Sequence, residues 1–278
     1  HQESSDELAV NGLGGNDEIS AAALAAQAIT LTLDGGAGVD SLAGGRGSER
    51  LLGGEGNDSV DGNAGSDLAL MGAGDDTFVW DPGDGSDVVE GEAGADTMLF
   101  NGANIAERVD LSANGNRLRF FRDAGNITMD TNDVESVDFN ALGGPDTITV
   151  NDLSSTDVTA VATDLAATGG LGDGQLDRVV VNATNGDDMI DVSGDASSVT
   201  VAGLSARVAI RHQEPSDELA LNGLGGNDEI SAAALAAQAI TLTLDGGEGV
   251  DSLAGGRGSE RLLGGEGNDS VDGNAGSD

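Results

Sequence analysis

The chain has 278 residues, with 46 Gly, 50 Asp plus Glu against 11 Lys plus Arg, and a formal net charge of −39. It has no Cys and no Tyr, and its five Phe and single Trp all fall between residues 78 and 139, which excludes disulfides, thiolate metal sites and a globular core of large side chains. A solenoid, whose thin core needs one aliphatic residue per strand, fits this composition, and so much negative charge holds a chain open unless cations neutralise it.

Residues 1–34 read as a loose solenoid. Gly12–Ser20, GLGGNDEIS, places Gly15, Asp17 and Ile19 in a turn-then-strand order. The Ala-rich stretch Ser20–Gln27 is long enough for one helical turn or two. Its place between the apolar strand positions Ile19 and Leu31 predicts a coil edge instead. Ile29–Leu33 alternates as a strand does.

Residues 35–99 carry seven copies of one nine-residue unit, G-G-x-G-x-D-x-U-x with U apolar, interrupted only by Trp80 and Asp81. Position six holds Asp40, Glu49, Asp58, Asp67, Asp76, Asp87 and Asp96, and position eight holds Leu42, Leu51, Val60, Ala69, Phe78, Val89 and Met98. The glycines permit the positive φ of a sharp turn. Such a turn points backbone carbonyls inward, and the carboxylate at position six adds a charged oxygen, a donor set that suits Ca²⁺. The last three residues are extended, so position eight enters a core. Two units then make one eighteen-residue coil of a flattened right-handed roll. Turns on one edge stack Asp40 on Asp58, Asp58 on Asp76 and Glu49 on Asp67, and the insertion lengthens the next steps, Asp67 to Asp87 and Asp76 to Asp96.

These units closely resemble the RTX, or haemolysin-type, calcium-binding nonapeptide repeat. The resemblance implies an all-β fold, a parallel β-roll or β-solenoid, with several Ca²⁺ ions between stacked turns. It also implies a secreted bacterial protein exported by a type I machine.

Residues 100–140 read as longer strands at Arg108–Leu111, Arg117–Phe121, Ile127–Met129 and Val134–Phe139, joined by Asn-Gly and Ala-Gly turns. The loose unit returns over 141–245, with Asp146, Asp177 and Asp188 followed two residues later by Ile148, Val179 and Ile190. Inward apolar positions then run Val179, Ile190, Val199, Val208, Leu219, Ile230, Leu242, Leu253, Leu262 and Val271 at steps of nine to twelve. Such steps predict one strand plus one turn throughout and an unbroken solenoid into a second tight run, 246–278. Residues 1–67 recur as 212–278, differing only at Ser4/Pro215, Val10/Leu221 and Ala37/Glu248, a period of 211. The first residue is not Met and Asp278 stops at position six of a unit, so the sequence is expected to be a window of a longer one.

The metal candidates are the position-six acids of the tight runs, with Asp251, Glu260, Asp269 and Asp278 in the second, and the turn glycines. Those glycines are Gly36, Gly38, Gly45, Gly47, Gly54, Gly56, Gly65, Gly74, Gly247, Gly249, Gly256, Gly258, Gly265 and Gly267. Glu49 and Glu260 depart from Asp, and their longer side chains leave that edge empty or weak. Asp17, Asp146, Asp177, Asp188 and Asp228 sit in incomplete motifs, where they either ligate the metal or cap their own turns as Asx residues.

The one basic cluster, Asn116–Arg122, interleaves Arg117, Arg119 and Arg122 with Phe120 and Phe121. Against a net charge of −39 nucleic acid is excluded as a partner, and these arginines are expected to pair with acids of the module or a neighbour. His1 and His212, the same module position, are expected at the surface. Asn126-Ile127-Thr128 and Asn182-Ala183-Thr184 match a short, common glycosylation pattern. No nucleophile, base and orienting acid come together, and no apolar run reaches membrane-spanning length.

These features predict a non-enzymatic, calcium-dependent structural module of an extracellular fibre or cell-surface protein. Its partners are copies of itself, without covalent cross-links and without membrane insertion. An RTX secretion and folding module of an enzyme or toxin, or an adhesin stalk, is the alternative.

Overall fold

The computed structural model describes residues 6–25 and 29–278; His1 and residues 26–27 of the Ala-rich stretch lie outside them. In chain order the strands are β1 Glu7–Asn11, β2 Glu18–Ser20, β3 Thr30–Ala37, β4 Ser41–Ala43, β5 Arg50–Glu55, β6 Ser59–Asp61, β7 Leu68–Ala73, β8 Thr77–Trp80, β9 Val88–Ala93 and β10 Thr97–Asn101. A middle group follows: β11 Arg108–Asn114, β12 Arg117–Arg122, β13 Ile127–Asn132, β14 Ser136–Leu142, β15 Thr147–Val150 and β16 Ala160–Ala167. The last group is β17 Arg178–Asn182, β18 Met189–Gly194, β19 Ser198–Ala202, β20 Arg207–Arg211, β21 Glu218–Asn222, β22 Glu229–Leu235, β23 Thr241–Gly249, β24 Ser252–Ala254, β25 Arg261–Gly267 and β26 Ser270–Asp272. One 3₁₀ turn, Ala124–Asn126, is the only helical element among the described residues, and none of their helices is long and apolar enough to cross a membrane.

The strands form two 13-stranded sheets. The first begins with β1 and the second with β2, and most neighbours are parallel. The chain alternates between them, so each coil is strand, turn, strand, turn. Turns leading from the first sheet to the second make one edge of the roll, and the returning turns make the other. Inward positions stack in register, Ile19, Leu42, Val60, Phe78, Met98 and Val137 along the second sheet and Leu33, Leu51, Ala69 and Val89 along the first. Away from the open end at Ile19 these side chains are buried. The strands of the first sheet take in the leading glycines of the next unit, as in Arg50–Glu55, so they are longer than the nonapeptide pattern alone predicts.

Two antiparallel meanders interrupt the coiling. In the first sheet β11–β12–β13 turn back on one another before β13 rejoins β9. In the second sheet β18–β19–β20 do the same before β20 joins β16. The apolar ladder therefore does not alternate sheets throughout. Ile190, Val199 and Val208 are all buried on the second sheet, because a nine-residue step serves a hairpin as well as a half-coil. Val134 is buried but precedes its strand, which starts at Ser136. The Ala-rich stretch is not helical where it is described. In the second copy Ser231–Leu235 completes β22 and turns through Ala236–Ala239.

The aromatic residues concentrate in the middle of the roll. Trp80 and Phe100 stack with centroids 4.0 Å apart, and Phe100 lies 4.4 Å from Phe120 and 6.1 Å from Phe139.

Candidate metal centres

The acids of position six form runs of hydrogen-bonded rungs along each edge. The backbone N–H of each donates to the carboxylate of the next coil: Asp40 to Asp58 at 2.8 Å, Asp58 to Asp76 at 2.7 Å and Asp76 to Asp96 at 2.8 Å. On the other edge Glu49 donates to Asp67 at 2.7 Å and Asp67 to Asp87 at 2.8 Å. The stacked pairs read from the spacing are the pairs observed, including the two stretched by Trp80 and Asp81.

Each hydrogen bond engages one carboxylate oxygen. The other, Oδ2, is buried with no hydrogen-bond partner in Asp17, Asp40, Asp58, Asp67, Asp76, Asp87, Asp96, Asp146, Asp228 and Asp251. A buried carboxylate oxygen left unpartnered costs free energy in a protein but is what a hard cation requires. Backbone oxygen is at hand: a Cβ placed on Gly35 would sit 2.5 Å from Asp40 Oδ2 and 2.7 Å from the carbonyl of Gly53 in the next coil. Carboxylate and carbonyl thus converge on a space kept free by glycine. Among the described residues no three acidic or histidine side chains surround one point, so a site here takes one or two carboxylates and completes its shell with backbone carbonyls. The residues present fit Ca²⁺, which accepts six to eight oxygens in irregular geometry.

The glycines are required by both conformation and stacking. Gly54 has φ 115° and Gly56 φ 123°, and a Cβ on either would collide with the carbonyl of Gly36 or Gly38 in the coil before. Gly36, Gly38, Gly65, Gly74, Gly247, Gly249, Gly265 and Gly267 share the left-handed φ. Gly45, Gly47, Gly256 and Gly258 do not, and these are the turns whose position six is Glu. There the longer side chain folds back on its own turn: Glu49 accepts from Gly45 N–H, and Glu260 accepts from Gly256 and Gly258 N–H.

The loose turns carry the same rungs. Asp17 N–H donates to Asp40, Asp146 to Asp177, Asp188 to Asp228, Asp228 to Asp251 and Asp251 to Asp269, and Glu260 donates to Asp278 at the open end. Asp188 differs, because its Oδ2 also accepts from Thr184 N–H and Oγ1 and so caps its own turn. Three rungs were not singled out from the sequence. Glu107 donates to Asp146, Asp177 donates to Asp217 and Asp96 donates to Glu135. The signal was present, since Gly102, Glu107 and Val109 keep positions one, six and eight while the intervening glycines are lost.

Burial pushes a subset of these carboxyls upward, with neighbouring carboxylates adding to it and the backbone N–H bonds pulling the other way. Asp67 and Asp146 rise to about 8, Asp87 and Asp177 to about 7, and Asp76 and Asp96 to about 6. Asp58 and Asp228 are raised for the same first cause. A divalent cation between them reverses this, since its charge favours the ionised form.

The arginines pair within the module. Arg117 binds Glu90 at 2.9 Å and Asp130 at 2.5 Å, Arg119 reaches Asp110 at 3.4 Å, and Arg122 makes a buried pair with Glu107. His212 is exposed and binds Asp164 at 2.7 Å. Asn182 sits in an outward ladder between Asn151 and Asn222.

The family model for the RTX calcium-binding nonapeptide repeat matches the chain in four copies, over residues 32–48, 44–78, 83–104 and 245–278. No curated protein matches the chain. The matched residues hold the glycine turns and most of the orphaned carboxylates just described, so the β-roll carries RTX calcium-binding nonapeptide repeats over these residues, and its cofactor is calcium, in several ions.

Proposed function

We propose that this chain is a calcium-dependent structural module, the shaft segment of a secreted, tandemly repeated bacterial fibre or cell-surface protein. The observation that carries the reading is the junction between the repeated segments. At residue 212 the 211-residue period restarts without a linker. There β21 pairs with β17 from Arg178 opposite Glu218 to Asn182 opposite Asn222, and β22 pairs with β18. Both sheets run through the boundary, as a shaft requires and as independently folded beads do not.

Because both sheets pass without a break from one copy of the repeated segment into the next, the partner is another copy of the module, held by calcium rather than by covalent cross-links. The role is non-catalytic, because the buried acids serve the ladder and His212 is engaged by Asp164 at the surface.

Electron microscopy of the native material tests this. Calcium-dependent filaments that fall apart in chelator are expected. Discrete particles with calcium present favour the secretion-module reading, and filaments indifferent to chelator overturn the calcium-dependent one.

A further inference from the structure

We infer that Arg122 is the resident cation of one rung of the acid ladder, so that the aromatic block around it, residues 77–142, keeps its fold without calcium. This rests on the calcium-dependent reading for the remainder of the roll.

Glu107 occupies the same place as the calcium-facing acids. Its N–H donates to Asp146 Oδ1 at 2.8 Å, as each tight-run acid donates to the next. Its own side chain is not left unpartnered as theirs are. Glu107 Oε2 accepts from Ala103 N–H at 2.9 Å, and Oε1 accepts from the Arg122 guanidinium. Glu107 is 2% exposed and Arg122 6%. Arg122 also donates to the Ala124 carbonyl at 2.9 Å, and its guanidinium lies 5.3 Å from the Trp80 ring.

The meander puts it there. Arg122 ends β12 and stands between Ile127 of β13 and Val109 of β11. The inserted strands separate the turn of Asp87 from that of Glu107, breaking the stack in which a metal is shared. The Arg122 guanidinium is tethered to the chain, so neither chelator nor dilution removes it. The block is also the best provided with local and apolar interactions. All six aromatic residues lie within it, and β11–β12–β13 are antiparallel neighbours joined by short turns, the pairings that form with least loop entropy.

Trp80 is the single tryptophan and is 1% exposed inside this block, so its emission reports on the block alone. In the full chain, chelator should remove most of the far-ultraviolet β signal. Trp80 should keep its blue emission and its shielding from quencher, and amide exchange should stay slow only over residues 77–142. Arg122→Met should make Trp80 exposure follow the loss of β signal. The paired Arg122→Met, Glu107→Leu variant, which leaves no unpaired charge, should restore chelator-resistant emission. Trp80 exposure in the natural chain at the same free calcium as the β signal overturns the inference, as does an Arg122→Met protein whose Trp80 stays buried in chelator. A β signal indifferent to chelator defeats the calcium-dependent reading, and this inference with it.

Discussion

The two copies of the 67-residue segment are nearly the same sequence in two different places, and they bury different residues. Leu219 is buried completely and its counterpart Leu8 is 46% exposed; Leu221 and Ile230 are buried where Val10 and Ile19 are half-exposed. At the other end the order reverses, with Val60 buried and Val271 47% exposed. β22 runs for seven residues against β18, while β2, lacking that neighbour, runs for three. Burial in this fold is thus a property of having a coil on each side, and a solenoid segment has little stability of its own apart from its neighbours and its metal.

The largest expected effect comes from taking the metal away and changing pH. Asp67 is buried between Glu49 and Asp87, whereas its counterpart Asp278 is exposed at the open end. Interior carboxyls such as Asp67 and Asp146 are raised from 3.8 to about 8. A carboxyl with a raised folded pKa binds its proton more tightly when folded. The stabilisation is therefore full below 3.8 and is lost as pH rises through about 8. In chelator the β signal should be greatest near pH 4 and fall as pH approaches 8. With saturating calcium the trend should reverse, because the cation competes with protons for the same oxygens. A metal-free β signal that grows with pH would contradict this account.

Next in size is the packing difference itself. Leu219→Ala should destabilise the calcium-loaded junction by about 2–5 kcal/mol, as buried Leu-to-Ala changes do. Leu8→Ala should cost less than about 1 kcal/mol, since half of that side chain already faces water. Denaturant unfolding with calcium present measures both, and similar losses at the two positions would show that the exposed face is not the counterpart of the buried one.

The metal sites provide a finer contrast. Asp58 stands between Asp40 and Asp76 and is buried, while Asp269, its counterpart, accepts from Asp251 at 3.1 Å and is half-exposed beside the open end. Asp58→Asn should remove two bound calcium ions and Asp269→Asn one. Asp138→Asn, outside any turn on β14, should remove none. Calorimetric counting of ions decides, and equal losses at Asp58 and Asp138 would rule out the assigned ladder.

How much of this was legible beforehand follows from what a period can encode. The nonapeptide repeats residue type at fixed places, so the rungs of Asp40, Asp58 and Asp76 and the core under Leu42, Val60 and Phe78 could be written down from spacing. Direction is not encoded in spacing. Ile190, Val199 and Val208 step by nine residues whether the chain coils or doubles back, and here it doubles back. Glu107 and Asp217 stayed hidden because their turns had lost the glycines that made the pattern visible, although the acid and the apolar residue two places on remained. The Arg122 pair with Glu107 depends on a meander that inserts β12 between two coils, a contact no local pattern specifies.

The smallest contrast lies in one of the three substitutions between the copies. Ala37 of the first copy faces Glu55 across parallel strands, and Glu248 of the second faces Glu266. Both glutamates of the second pair are exposed, so their repulsion is weak and screened by salt. Like charges directly opposite on neighbouring strands still destabilise, by amounts on the order of a few tenths of a kcal/mol. Glu248→Ala should therefore stabilise the second tight run slightly at low ionic strength, and Ala37→Glu should destabilise the first by a similar amount. Because Glu248 is not a rung of the ladder, the number of bound calcium ions should not change in either variant. Thermal unfolding at low and high salt separates the effect from packing. Charge repulsion predicts a difference that vanishes with salt, and one that persists at high salt would assign it to the side chain's fit on the turn instead.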